Sequence, residues 1–161
     1  MSTYLLDTDV ISELMAAPSR KRRQAIEAWL RSLADESVVV STVSIAEITR
    51  AIKLSQSRNA AAAAKLELAL HSLLKLYGDT ILTPSHAEWQ AVAELSAAPG
   101  LRHLFFGKND KNQPRTGADA YLAVQANAIA AAIATLNSKD FTLIDQFMPI
   151  EGGIINPASS I

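Results

Sequence analysis

The chain has 161 residues, 49% hydrophobic and 19% charged, with no cysteine; that allows one self-sufficient core, with residues 1–161 as a single domain, and excludes a disulfide framework or thiolate metal site. The formal net charge of −1 excludes a nucleic-acid binder that relies on bulk charge, so local basic patches must meet any such partner. No run reaches the roughly 18 apolar residues of a membrane span and the N-terminus lacks a basic signal-peptide flank, so the expectation is a cytoplasmic protein with no membrane contact.

Residues 3–7 read as a short buried strand ending in Asp7, with a helix from about Asp9 to Met15 and a break at Pro18. Ile26, Trp29, Leu30 and Leu33 recur at helical spacing over 20–34, after Ser19 as N-cap. The β-branched run 38–41 predicts a second strand. Ser44-Ile45-Ala46-Glu47 then has capping-box spacing and opens a helix to about Ser55. A long alanine- and leucine-rich helix covers 59–77, Ile81-Leu82 is a third strand, and Ser85 to Glu88 opens a further helix. Residues 98–115, with Pro99, Gly100, Gly107 and Pro114, read as a loop of unusual length. Thr116 to Asp119 repeats the capping-box spacing before another helix. Residues 129–135 are a fourth strand, 137–141 a turn with one helical turn, and 143–156 hold a last strand or two. Strands alternating with helices predict a three-layer α/β/α fold around a mostly parallel sheet of four to five short strands.

The acids fall in a pattern. Asp7 ends the first strand, Glu47 and Asp119 begin helices, and Asn137 and Asp140 follow the fourth strand. In a parallel sheet, strand ends and the starts of following helices share one edge, where ligands gather. Clustered carboxylates repel unless a cation neutralises them, and an oxygen-only set suits Mg²⁺, with Mn²⁺ as substitute. Capping alone accounts for any single first-turn acid; only as a set do they point to a metal.

Leu5-Leu6-Asp7-Thr8-Asp9-Val10-Ile11-Ser12-Glu13, Ser41 to Glu47, Asp119-Ala120-Tyr121-Leu122-Ala123, Ala134 to Phe141 and Asn156-Pro157 occur in an order that resembles PIN-domain ribonucleases. The likeness is greatest to the toxin halves of VapBC-type toxin–antitoxin pairs. The resemblance implies a Mg²⁺-dependent endoribonuclease with Asp7, Glu47 and Asp119 as catalytic metal ligands and Asn137, Asp140 and Asp9 as weaker ones. It further implies an RNA substrate, a homodimer, and a small cognate antitoxin with a DNA-binding N-terminus and a wrapping C-terminal tail. Thr8, Thr42 and Ser44 would support the ligands from behind, or simply cap and close strand ends. Arg20, Lys21, Arg22 and Arg23, with Lys108, Lys111 and Arg115, would guide the RNA backbone, or form a solvated helix face and a loop. Three positions depart from the family pattern: Asp9 stands where Asn is usual, Asn137 where Asp is frequent, and Leu136 where Arg is common.

Two rival readings share these residues. Asp7-Thr8-Asp9-Val10 also resembles the Asp-x-Asp motif of haloacid-dehalogenase-like phosphatases, with Asp7 as nucleophile, although that leaves Glu47 and Asp119 without a role. A neutral Asn137 also fits a PIN-fold binding module weakened in catalysis. His71, His86 and His103 read as surface or packing residues, and Trp29 and Trp89 as core. The apolar residues of the 20–34 and 59–77 helices suit either core packing or partner surfaces.

Overall fold

The computed structural model describes residues 2–33, 37–108 and 115–159. Tyr4-Leu5-Leu6 form β1 (Thr3–Leu6), and Asp7 ends the extended run by capping α1 (Thr8–Leu14). Past Pro18 come α2 (Lys21–Ser32), β2 (Ser37–Ser41), α3 (Thr42–Gln56) and α4 (Ala60–Tyr77). A 3-10 turn leads into β3 (Ile81–Leu82), followed by α5 (His86–Ala97) and α6 (Arg102–Phe105). The rest comprises α7 (Ala118–Ala128), β4 (Ala132–Ala134), α8 (Lys139–Asp145) and β5 (Ile154–Ile155).

The five strands form one sheet in the order β3-β2-β1-β4-β5, and every pairing is parallel. Alternation along each strand sends neighbouring side chains to opposite faces. Leu5, Val39 and Ile133 meet Leu104 of α6, Leu122 and Ala126 of α7, and Phe141 and Ile144 of α8. Leu6, Val40 and Ala134, one residue on, meet Val10 and Ile11 of α1, Ile26 and Trp29 of α2, Ile48 of α3 and Leu70 of α4. Both faces are therefore covered, as an all-parallel sheet requires. The expected three-layer α/β/α architecture is present. Among the described residues, no helix is long and apolar enough to cross a membrane.

Local chemistry shifts several expected boundaries. The Ser85–Glu88 capping box forms, with both reciprocal hydrogen bonds. The Ser44–Glu47 box does not: Ser41 caps α3 by accepting from the Val43 N–H, which puts Glu47 in the second helical turn. Thr116 caps nothing either, because α7 starts at Gly117 in the left-handed region (φ +72°). Lys21 rather than Arg20 begins α2, and neither Ser19 nor Arg20 supplies a side-chain cap. The predicted 98–115 loop folds back into the core where described, since Leu101 and Leu104 of the α6 region are buried; Lys111 and Pro114 lie outside the described residues. The fourth strand shortens to 132–134 because α7 runs on to Ala128.

Gly152 sets how closely the final segment approaches β4. A Cβ built there would stand 2.1 Å from the carbonyl carbon and oxygen of Ala131, backbone atoms that cannot step aside. We expect Gly152→Ala to lift β5 from the sheet and cost about 2 kcal/mol or more, read as a lower urea midpoint; an unchanged midpoint would show that β5 is not packed this closely.

Candidate active site

The strand order reverses between β1 and β4: the chain fills one side of the sheet through β2 and β3, then crosses to the other. At such a switch point the carboxyl ends of two strands open a crevice. Asp7 follows β1 there, and Thr135 follows β4. The Thr135 hydroxyl donates to Asp7 Oδ2 at 2.7 Å, while the Thr8 N–H donates to Asp7 Oδ1 at 2.6 Å. Thr135 Oγ1 in turn accepts the Asn137 N–H at 3.0 Å.

The same web extends to the other acids. Thr8 donates its hydroxyl to Glu47 Oε2 at 2.8 Å, and Thr116 donates to Glu47 Oε1 at 2.5 Å. Two threonines thus align a carboxylate from α3 with the starts of α1 and α7. Neither Glu47 nor Asp119 is spent on capping, the role in which each would be unremarkable. Glu47, Asp119, Asn137 and Asp140 line one cleft of about 200 Å³, together with Arg115 and Thr116. Asp7 lies beneath it, only 6% exposed.

The charges here are mutually strained. Burial, and then the negative charges of Asp9 and Asp119, push the Asp7 carboxyl well above the usual carboxylate range. Asp119 is pushed up to about 7, first by burial and then by the charges of Asp140 and Glu47, with Arg115 opposing. Burial also raises Asp9, against the Leu136 N–H, which both Asp9 oxygens accept at 3.1 Å.

The donors are oxygen-only, and the three histidines stand exposed elsewhere. Ser44, one turn before Glu47 on α3, adds a fully buried hydroxyl without a partner among the described residues. This chemistry fits a hard divalent cation. Among the described residues, no three of these side chains form a group that could hold a metal ion; the oxygens of Asp7, Glu47 and Asp9 are engaged by hydroxyls and amides, and Asp140 Oδ2 by a guanidinium.

The remaining predicted residues are distributed unevenly. Thr42 lies beside the cleft in an adjoining groove. Arg115 sits in the cleft, its Nη1 donating to Asp140 Oδ2 at 2.8 Å. Lys108 is exposed and does not line the cleft. Arg20 pairs with Glu13, Arg23 binds Glu27 and the Ala16 carbonyl, and Arg23 lines a separate cavity with Leu76 and Tyr77; the structure does not bring 20–23 to the acids. Lys21 and Arg22 are exposed on α2. Thr116 and Thr135, read from sequence as a cap and a strand end, turn out to hold Glu47 and Asp7. Both Asp7 oxygens are engaged in a buried setting, and the phosphatase reading leaves Glu47 and Asp119, which line one cleft, without a role.

No curated protein sequence matches the chain. In structure it is similar to FitAcB from Neisseria gonorrhoeae, with 25% identity, a TM-score of 0.64, and coverage of 96% of this chain and 97% of the other. VapBC-1 from nontypeable Haemophilus influenzae matches at 20% identity and TM-score 0.65, covering 96% and 98%. VapBC2 from Rickettsia felis, bound to a DNA fragment from their promoter, matches at 19% and 0.65 with the same coverage. The PIN-domain family model matches residues 4–145, and with that span the chain belongs to the PIN-domain family.

Proposed function

We propose that this protein is a Mg²⁺-dependent endoribonuclease, with residues 1–161 acting as one unit, and that it is the toxin of a type II toxin–antitoxin pair. The observation that carries this is the oxygen-only set drawn from four distant stretches, Asp7, Glu47, Asp119 and Asp140, around the switch point of a PIN fold. Asp7, Glu47 and Asp119 would hold the cation, with Asn137 and Asp140 at the side; Asp9, turned to the Leu136 amide, supports the floor. The bound cation supplies Lewis-acid stabilisation of the phosphoryl transition state and acidifies the attacking water.

The chain's own residues do the rest. Thr135 and Thr8 fix the Asp7 rotamer; Thr8 and Thr116 fix Glu47. Arg115, held by Asp140 in the resting cleft, is the guanidinium within reach of an entering phosphate. The antitoxin reading draws support from the VapBC and FitAcB neighbours, themselves complexes, one bound to promoter DNA; the homodimer is part of the proposal. A cavity of about 350 Å³ between α1, α2 and α4, beside an exposed Leu76, suits the antitoxin's wrapping tail. Such a pair acts in the cytoplasm.

Purified protein with single-stranded RNA and Mg²⁺ or Mn²⁺ should cut it, and chelator should abolish cleavage. Asp7→Asn and Asp119→Asn should each lower kcat/KM by about a hundredfold or more, and wild type but not these variants should arrest growth on induction in bacteria. Chelator-resistant cleavage, or full activity in Asp119→Asn, would overturn the assignment.

Asp119 also sets a sign for stability without metal. Its folded pKa lies above its unfolded one, so the folded state binds more protons between about pH 4 and 7. Stability in chelator should therefore fall as pH rises through that window, by an amount on the order of a few kcal/mol, with Asp7 adding in the same direction. Urea unfolding at pH 5 and pH 8 tests this. Asp119→Asn should flatten the slope, and an equal slope in the variant would mean that Asp119 is not the strained group.

A further inference from the structure

Resting on the ribonuclease reading, we propose that a groove beside the carboxylate cleft is a nucleobase subsite built on Trp89 and Tyr121. Trp89, which helical spacing assigns to the core, is instead 52% exposed on α5. It is held in place all the same. Its ring meets Tyr121 of α7 nearly edge to face, with centroids 4.7 Å apart and planes at 68°. An isolated exposed tryptophan is ordinary surface; one braced by a second ring against a groove of about 400 Å³ is a platform of the size small ligands occupy.

Its place gives it an occupant. Glu47, Thr116 and Ala118 line both this groove and the acidic cleft, so the two share a wall. A nucleotide whose phosphate lies at the carboxylates has its own base, or the next one, over the groove. Arg50, one turn beyond Glu47 on α3, also lines the groove, is exposed, and forms no ion pair among the described residues; it offers a cation to the adjoining backbone phosphate. An aromatic face, a free guanidinium and threonine hydroxyls in one groove are the elements of single-strand recognition, in which bases stack on rings whatever their identity. Bases inside an A-form duplex are stacked on one another and do not reach such a ring.

The chain has two tryptophans, and Trp29 is buried, so ligand quenching of fluorescence reports on Trp89. The full chain in EDTA is titrated with a single-stranded oligoribonucleotide and with a blunt RNA duplex of the same sequence. The single strand should quench and the duplex should not. Trp89→Ala should bind the single strand roughly ten- to a hundredfold more weakly and lose kcat/KM in parallel with Mg²⁺ present, while Trp89→Phe keeps most of both. Equal binding and cleavage by wild type and Trp89→Ala would overturn the subsite and leave the ribonuclease reading intact. Wild type that cuts no RNA would remove both. A shift from dimer to monomer in Trp89→Ala, seen by sedimentation without loss of RNA affinity, would make the face a contact between copies of the chain and overturn the proposal.

Discussion

The hydrogen bond from the Thr135 hydroxyl to Asp7 joins the carboxyl end of β4 to that of β1, across 128 positions of sequence. It places a donor against a carboxylate that burial and neighbouring charge would rather keep protonated. Thr8 does the same by its amide for Asp7 and by its hydroxyl for Glu47, and Thr116 completes the other side of Glu47. A hydrogen bond to an ionised acceptor contributes more than a neutral one, and the Thr135 and Thr8 donors oppose the upward push that burial and neighbouring charge exert on Asp7. Five residues thus form a line from β4 through β1 and α1 to α3 and α7, and the positions of Asp7 and Glu47 depend on it.

The sheet makes that line possible. Because β1 lies in the middle, between β2 and β4, its carboxyl end is the meeting point of two halves of the chain. The first half supplies Asp7 and Glu47; the second supplies Asp119, Thr135 and Asp140. Gly117 serves the junction: its left-handed backbone starts α7, and a Cβ there would stand 2.6 Å from the Phe105 ring. Thr116 faces Glu47 while Asp119, two residues past the glycine, enters the cleft.

The sheet and the order of its elements were legible because apolar alternation is a local signal that survives folding. Leu5 and Leu6, or Val39 and Val40, declare a strand buried on both faces without reference to anything distant. That Glu47, Asp119 and Asp140 share one edge was legible from the order of strands and helices, although Glu47 falls in the second turn of α3 rather than at its start. The donors that hold Asp7 and Glu47 were not. Thr116 and Thr135 lie 69 and 128 positions from their partners, and capping and strand-end bonding describe a threonine at such places equally well. Local spacing misled twice, at Ser44 and Thr116, where a strand-end serine and a left-handed glycine took the cap first. Trp89 misled differently: helical spacing shows which face of α5 it shares, but Tyr121 turns that face into a groove wall rather than core.

The departures from the family pattern now fall into place by position. Asp9 carries a charge that asparagine would not, yet it spends both oxygens on the Leu136 amide and does not line the cleft. Its charge raises the cost of ionising Asp7. Asp140, by contrast, lines the cleft with Asn137, and its charge raises Asp119. Its charge is matched by Arg115, just ahead of α7, whose guanidinium pairs with it at 2.8 Å. The cleft therefore keeps both an acid and an arginine at this side, but as a salt-bridged pair rather than as two independent groups.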